Sequence, residues 1–107
     1  MNVLKALAVS IVILMTASCS WVELTAEGEK VRVLTSAEVT KCKLLGKTTA
    51  IVTDTVGGVR RHDAQILSEL AIVARNAAIN LDGDTVVPVG EENAGKQLFE
   101  VYRCVPR

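Results

Sequence analysis

The sequence predicts an α+β fold: a two-layer sandwich in which one main α-helix packs on one face of a small, mainly antiparallel β-sheet. Three observations predict it. Across residues 64–80 apolar side chains recur at three- and four-residue spacing, the period of a helix. Residues 44–56 and 97–105 instead alternate with near period two, the pattern of strands with one buried face. The patterns run strand, strand, helix, strand, strand without an internal repeat, and one helix laid on one sheet is the economical way to bury them.

Each element follows from its residues. Residues 20–30 (SWVELTAEGEK) read as a short lead-in without Pro- or Ser-rich linker character. Residues 31–34 (VRVL) alternate as a short strand, and 36–39 make a brief helical turn before Cys42. Residues 44–56 (LLGKTTAIVTDTV) form a longer strand in which Ala50, Val52 and Val56 share a face with Asp54, and Gly57-Gly58 ends it. Asp63 is placed to cap the following helix. That helix turns Leu67, Leu70, Ala71, Ala74, Ala77 and Ala78 inward and Gln65, Glu69, Asn76 and Asn80 outward. Its alanines permit close approach to a sheet, and Asp82-Gly83 supplies the turn after it. In residues 85–89 (TVVPV), Pro88 cannot donate to a ladder, which predicts an edge strand or a bulge. Residues 90–96 form a polar turn, and 97–105 (QLFEVYRCV) return as the other arm of a hairpin.

The 107 residues suffice for one small domain. Lys+Arg and Asp+Glu both number 12, and setting aside residues 1–18 with Lys5 leaves a net charge of −1. Neither a basic field for nucleic acid nor an acidic tail is present. One Trp, one Tyr and one Phe argue against an aromatic platform for single strands or sugars.

Much of the hydrophobic excess sits in residues 1–18 (MNVLKALAVSIVILMTAS). Lys5 gives a positive n-region, and residues 6–15 form an uncharged, mostly apolar run. At ~1.5 Å per residue that run is too short for a ~30 Å hydrocarbon core but has the length of a secretory h-region. Small residues Thr16, Ala17 and Ser18 then precede Cys19, a stretch that resembles the lipobox of bacterial lipoproteins, with Thr16 where Leu is usual. The resemblance implies a signal peptide over 1–18, acylation of Cys19, a lead-in over 19–30 and a single α+β domain over 31–107. The alternative is an ordinary signal peptide with an incidental cysteine. Ser20 after the cysteine favours sorting to the outer membrane in enterobacteria-like cells, with the domain on the periplasmic face.

Lipidation of Cys19 also explains an odd cysteine count, leaving Cys42 and Cys104 as a pair in a compartment where disulfides persist. Such a loop would stabilise a small domain by roughly 4 kcal/mol in the chain-entropy model. A redox-active couple and two free thiols are the alternatives; the spacing is not the CxxC of redox couples.

Few other residues suggest chemistry. His62, the only histidine, stands beside Arg60 and Arg61 and reads as part of a solvated basic cluster, with general-base catalysis as the alternative. Asp82-Gly83-Asp84 lacks the further ligands of a calcium loop and reads as turn chemistry. Gly57-Gly58 lacks the Lys-Ser/Thr of a phosphate loop. One His and two oxidised cysteines do not make a zinc site, so no metal and no cofactor is expected. Arg75-Asn76 interrupts the alanine-rich helix. Arg75 reads as an internal tie to Glu69, Asp54 or Glu100, or as an anchor for a partner.

The stretches SELAIVARNAAINLDGDTVV, GKQLFEVYRC and VTKCKLLG together resemble a small bacterial lipoprotein family known only as a domain of unknown function. Glu69-Leu70, Ala74-Arg75-Asn76, Asp84-Thr85-Val86-Val87 and Tyr102-Arg103-Cys104 are the most specific matches. A small residue, usually Gly, stands in that pattern where this chain has Asp82, and Asp also tolerates a left-handed backbone. More distantly, the helix, the following strand and the cysteine-ended strand are similar to RcsF-like envelope stress sensors, without their long proline-rich linker. The resemblance implies a fold and an address, not an activity; the lipobox and a small body without a catalytic constellation lead to the expectation of a non-enzymatic, outer-membrane-anchored binding, sensing or accessory module. Its partners would be the membrane, through acyl chains on Cys19, and an envelope protein or peptidoglycan. The competing expectations are a small hydrolase or redox protein using His62 or the Cys42/Cys104 pair, and a passive structural lipoprotein.

Overall fold

A computed structural model of the chain describes residues 22–106. It is the expected α+β sandwich, one main helix against a four-stranded sheet, with a separate two-stranded hairpin. The strands are β1 (Arg32–Val33), β2 (Lys43–Ile51), β3 (Thr55–Val56), β4 (Val59–Arg60), β5 (Thr85–Asn93) and β6 (Lys96–Arg103), and the helix α1 is Asp63–Ala78. The main sheet has the order β1-β5-β6-β2; β3 and β4 pair only with each other. Among the described residues no helix is long and apolar enough to cross a membrane.

The sheet is mixed rather than wholly antiparallel. β5–β6 and β6–β2 are antiparallel, but β1 joins β5 in parallel, Arg32 against Thr85 and Val33 against Val86. The C-terminal half thus supplies both inner strands and the N-terminal half both outer ones. Pro88 fits this arrangement without a break. By strand order β5 is internal, yet β1 reaches only as far as Val86, whose carbonyl accepts from the Leu34 N–H. Backbone groups alternate sides along a strand, so the ring nitrogen of Pro88 points to the edge that β1 has already left.

The strand expected over 44–56 ends at Ile51 in the structure, and 55–60 fold back as the β3–β4 hairpin around Gly57-Gly58, both at positive φ. The cause is Arg61. Its Nη1 donates to the Thr53 carbonyl at 2.6 Å and its own N–H to the Asp54 carbonyl at 2.7 Å. The backbone of 53–54 is satisfied there instead of by a neighbouring strand. The polar turn expected over 90–96 is tighter than anticipated. β5 continues irregularly to Asn93, and Ala94 and Gly95, both at positive φ, make the reversal into β6. A side chain at Gly95 would place its Cβ 2.3 Å from the Val52 carbonyl oxygen, so only glycine lets β2 and this turn close together.

The helix is rotated from its expected setting. Its buried residues are Ile66, Glu69, Leu70, Ala74 and Ala78, whereas Leu67 is 50% exposed. Spacing four along Ile66, Leu70, Ala74 and Ala78 runs the inward stripe straight down the helix. This stripe meets Val31, Ala50, Val86, Phe99 and Val101 in one core. The helix starts one residue early: His62 holds the N-cap position without a side-chain cap, and Asp63 is already in the first turn, paired with Arg60. A short 3-10 turn, Ile79–Leu81, follows, and Asp82 takes the left-handed conformation (φ 58°) that a glycine would take.

The other sheet face is also covered. Val86 and Val101 face the helix, so Thr85 and Val87 face away from it; both are nonetheless buried, as is Val39. The connection from β1 to β2 must travel from one edge of the sheet to the other. Its 3-10 turn, Ser36–Val39, is closed by Thr35 and Glu38 in a reciprocal capping box. Hydrogen bonds from Thr35 and then the charge of Arg32 hold the Glu38 carboxyl below its ordinary pKa. Arg32 stands beside Thr85 on the far face, and so the crossing passes over that face.

Candidate functional site

Arg75 and Asn76 stand at the C-terminal half of α1 and reach neither Glu69 nor a sheet carboxylate. Both hold the lead-in. Arg75 donates from Nε to the Val31 carbonyl at 2.8 Å and from Nη2 to the Glu29 carbonyl at 3.0 Å. Asn76 donates from Nδ2 to the Glu23 carbonyl at 2.9 Å, and its Oδ1 accepts from the N–H and hydroxyl of Thr25 at 3.0 and 3.1 Å. The lead-in adds its own turn, with the Thr25 hydroxyl accepting from the Gly28 N–H at 2.9 Å. Gly28 is buried, and a Cβ there would stand 2.4 Å from Asn76 Oδ1; its missing side chain is the condition for the contact. Two adjacent helix residues thus dock the segment 23–31 mainly through its backbone groups, with the Thr25 hydroxyl and the bare Cα of Gly28 as the sequence requirements.

Cys42 and Cys104 form a disulfide with a Cα separation of 4.4 Å. Lys43 pairs with Arg103, so the cysteines occupy the next opposed position of the β2–β6 ladder. The separation is that of a directly opposed, non-hydrogen-bonded pair. The bond clips the ladder beside the irregularity between Leu44 and Gly46. Next to it, Asp84 accepts from the N–H of Cys104 and of Val105, each at 2.8 Å, and from the Thr85 hydroxyl at 3.0 Å. Burial pushes the Asp84 carboxyl up, but these donors outweigh it and hold the group below its ordinary pKa, with help from Arg32. Asp82 thus serves the turn and Asp84 the end of the strand. Among the described residues no group of three His, Cys, Asp or Glu side chains could hold a metal.

His62 is exposed at the start of α1, beside the far end of β2, whereas the disulfide closes its near end. A nine-residue strand spans about 26 Å between its first and last residue, so His62 and the cysteines form no common site.

Sequence reasoning missed the pair Arg61–Glu69. Both side chains are nearly buried, 8% and 7% exposed, and form a salt bridge. Arg60, one residue earlier, is 43% exposed and reaches Asp63 at 2.9 Å, Glu92 at 2.7 Å and Asp54 at 3.6 Å. The basic cluster is thus not uniformly solvated. The signal was the choice of helix face: a stripe started from Ile66 instead of Leu67 puts Glu69 among inward residues, where a carboxylate needs a cation.

These features define a small, disulfide-closed α+β domain with a docked N-terminal strap. Residues 22–104 match the family described as a domain of unknown function (DUF4156), and the chain belongs to that family. No curated protein and no solved structure matches it.

Proposed function

We propose that the chain is a lipid-anchored protein of the bacterial outer membrane whose periplasmic domain is a non-enzymatic binding or sensing module of the envelope. The observation that carries this reading is the docked lead-in. Asn76 engages the chain at Glu23, four residues after Cys19, and Arg75 continues the hold to Val31. Cys19 itself falls outside the described residues. A domain that begins this soon after an acylated cysteine works at the bilayer surface, not at the end of a long arm. The Cys42–Cys104 bond supports an oxidising compartment. In this reading the partner is an envelope protein or peptidoglycan, and the domain serves a stress-sensing or assembly role in the manner of RcsF-like proteins.

Two measurements test it. Mass spectrometry of the mature N-terminus should find acyl groups on Cys19; a clean, unmodified terminus overturns the anchor. Crosslinking in intact cells followed by purification in detergent should recover a specific protein or peptidoglycan fragment. Recovery of neither would leave a passive structural lipoprotein.

A further inference from the structure

The end of the sheet opposite the disulfide carries apolar side chains that the core does not use. Val59 is 70% exposed, Ile51 60% and Val56 50%. Val56 and Val59 oppose each other across the β3–β4 hairpin and flank the Gly57-Gly58 turn, so the hairpin ends in a compact apolar tip. Ile51 closes β2 at the same end.

The first described residue points to what faces this tip. Val22 lines a shallow cavity together with Ile51, Val52, Thr53 and Glu69. Traced backward from the Asn76 contact, the strap therefore runs toward the hairpin end and arrives beside Ile51, three residues from Cys19. An anchor at Cys19 brings this end, and not the disulfide end, to the bilayer. The arginines below the tip are already engaged: Arg60 with Asp54, Asp63 and Glu92, and Arg61 with Glu69. That leaves the apolar tip, with Lys96 exposed opposite Ile51, to face the bilayer.

We propose that the β3–β4 hairpin tip, Val56 and Val59, with Ile51 beside it, is a second membrane contact that inserts into the lipid interface next to the acyl anchor and fixes the orientation of the domain. The inference rests on the lipid-anchored reading above. Amphipathic surface elements bind bilayers by burying such side chains at the headgroup boundary, and a tethered tip needs little affinity because the anchor supplies a high local concentration.

The test uses the full-length acylated protein. With Cys19 acylated and Cys42 bonded to Cys104, a Val59→Cys variant carries one free thiol for an environment-sensitive fluorophore. Val105→Cys, exposed at the disulfide end, is the control. Each is reconstituted into vesicles of phosphatidylethanolamine and phosphatidylglycerol containing nitroxide-labelled acyl chains. The expected result is a blue-shifted emission and several-fold stronger quenching at position 59 than at 105, little changed by salt. Equal quenching at the two positions in an acylated protein overturns the membrane contact while leaving the anchor intact. An unacylated terminus overturns both. Val56→Cys repeats the measurement from the other strand, and circular dichroism checks that each variant is folded.

Discussion

At one end of the β2–β6 ladder the chain is held by a covalent bond and a half-buried carboxylate accepting backbone N–H groups; at the other it is held by arginines beneath exposed valines. The disulfide end ties the start of β5 to the end of β6: Asp84 takes the N–H groups of Cys104 and Val105, and Arg103 donates to the Asp82 carbonyl at 3.3 Å. The hairpin end is held by two arginines, with Arg61 joining residues 53, 54 and 69, and Arg60 spanning to Glu92 on β5. The first arrangement keeps its covalent clip in any medium that leaves the bond oxidised. The second depends on charge, and its apolar groups remain outside the core.

Substitutions can break this contrast. The largest loss should come from Glu69→Ala, which leaves Arg61 buried without its carboxylate; about 3–5 kcal/mol is expected, read by urea unfolding. Replacing both members, Arg61→Met with Glu69→Leu, should recover most of it, because the penalty is an unpaired charge and not the absence of the pair. Next, Cys42→Ser with Cys104→Ser should cost about 2–4 kcal/mol by the same measurement, and the wild type should lose a similar amount under reductant. An unchanged urea midpoint would show that the ladder holds its register unaided.

Asp84→Asn should cost about 1–3 kcal/mol at neutral pH, since charge-assisted hydrogen bonds become neutral ones. The sign of its pH dependence is fixed. A carboxyl held below its ordinary value contributes fully above the unfolded pKa of about 3.9 and loses that contribution as pH falls through the lower folded value. The gap between wild type and variant should therefore be constant above about pH 5 and shrink below about pH 4. A gap that stays constant into acid would mean that the donors do not recognise the charge. The smallest change should come from Arg60→Ala: its side chain is exposed, and its contacts are screened, so thermal unfolding should scarcely move.

Much of the fold was legible because its signals are local. The β5–β6 pairing, the turn at Gly57-Gly58, the short helical turn over 36–39 and the αL tolerance of Asp82 each follow from a few neighbouring residues. The rest required partners distant in sequence. Nothing near residue 32 announces a parallel pairing with residue 85. The interruption of the 44–56 strand is decided by Arg61, and the helix face by whether Glu69 finds a cation. Arg75 and Asn76 could be recognised as unusual in an alanine-rich helix. Their targets are backbone carbonyls and an N–H of the lead-in, with the Thr25 hydroxyl the one side chain among them.

The position of the disulfide also sets how the molecule would bear load. Tension applied from the N-terminal side first meets the hydrogen bonds of the strap and then the two residues of β1, which can be drawn off in succession. At Cys42 the pull passes through sulfur to Cys104, bypassing the helix and the three longer strands between them. At ~3.4 Å per residue, the segment 22–41 can pay out about 70 Å before that stop is reached. A domain fastened in this way has a fixed limit of extension, reached once Val31 and Val39 have been drawn out of the interior.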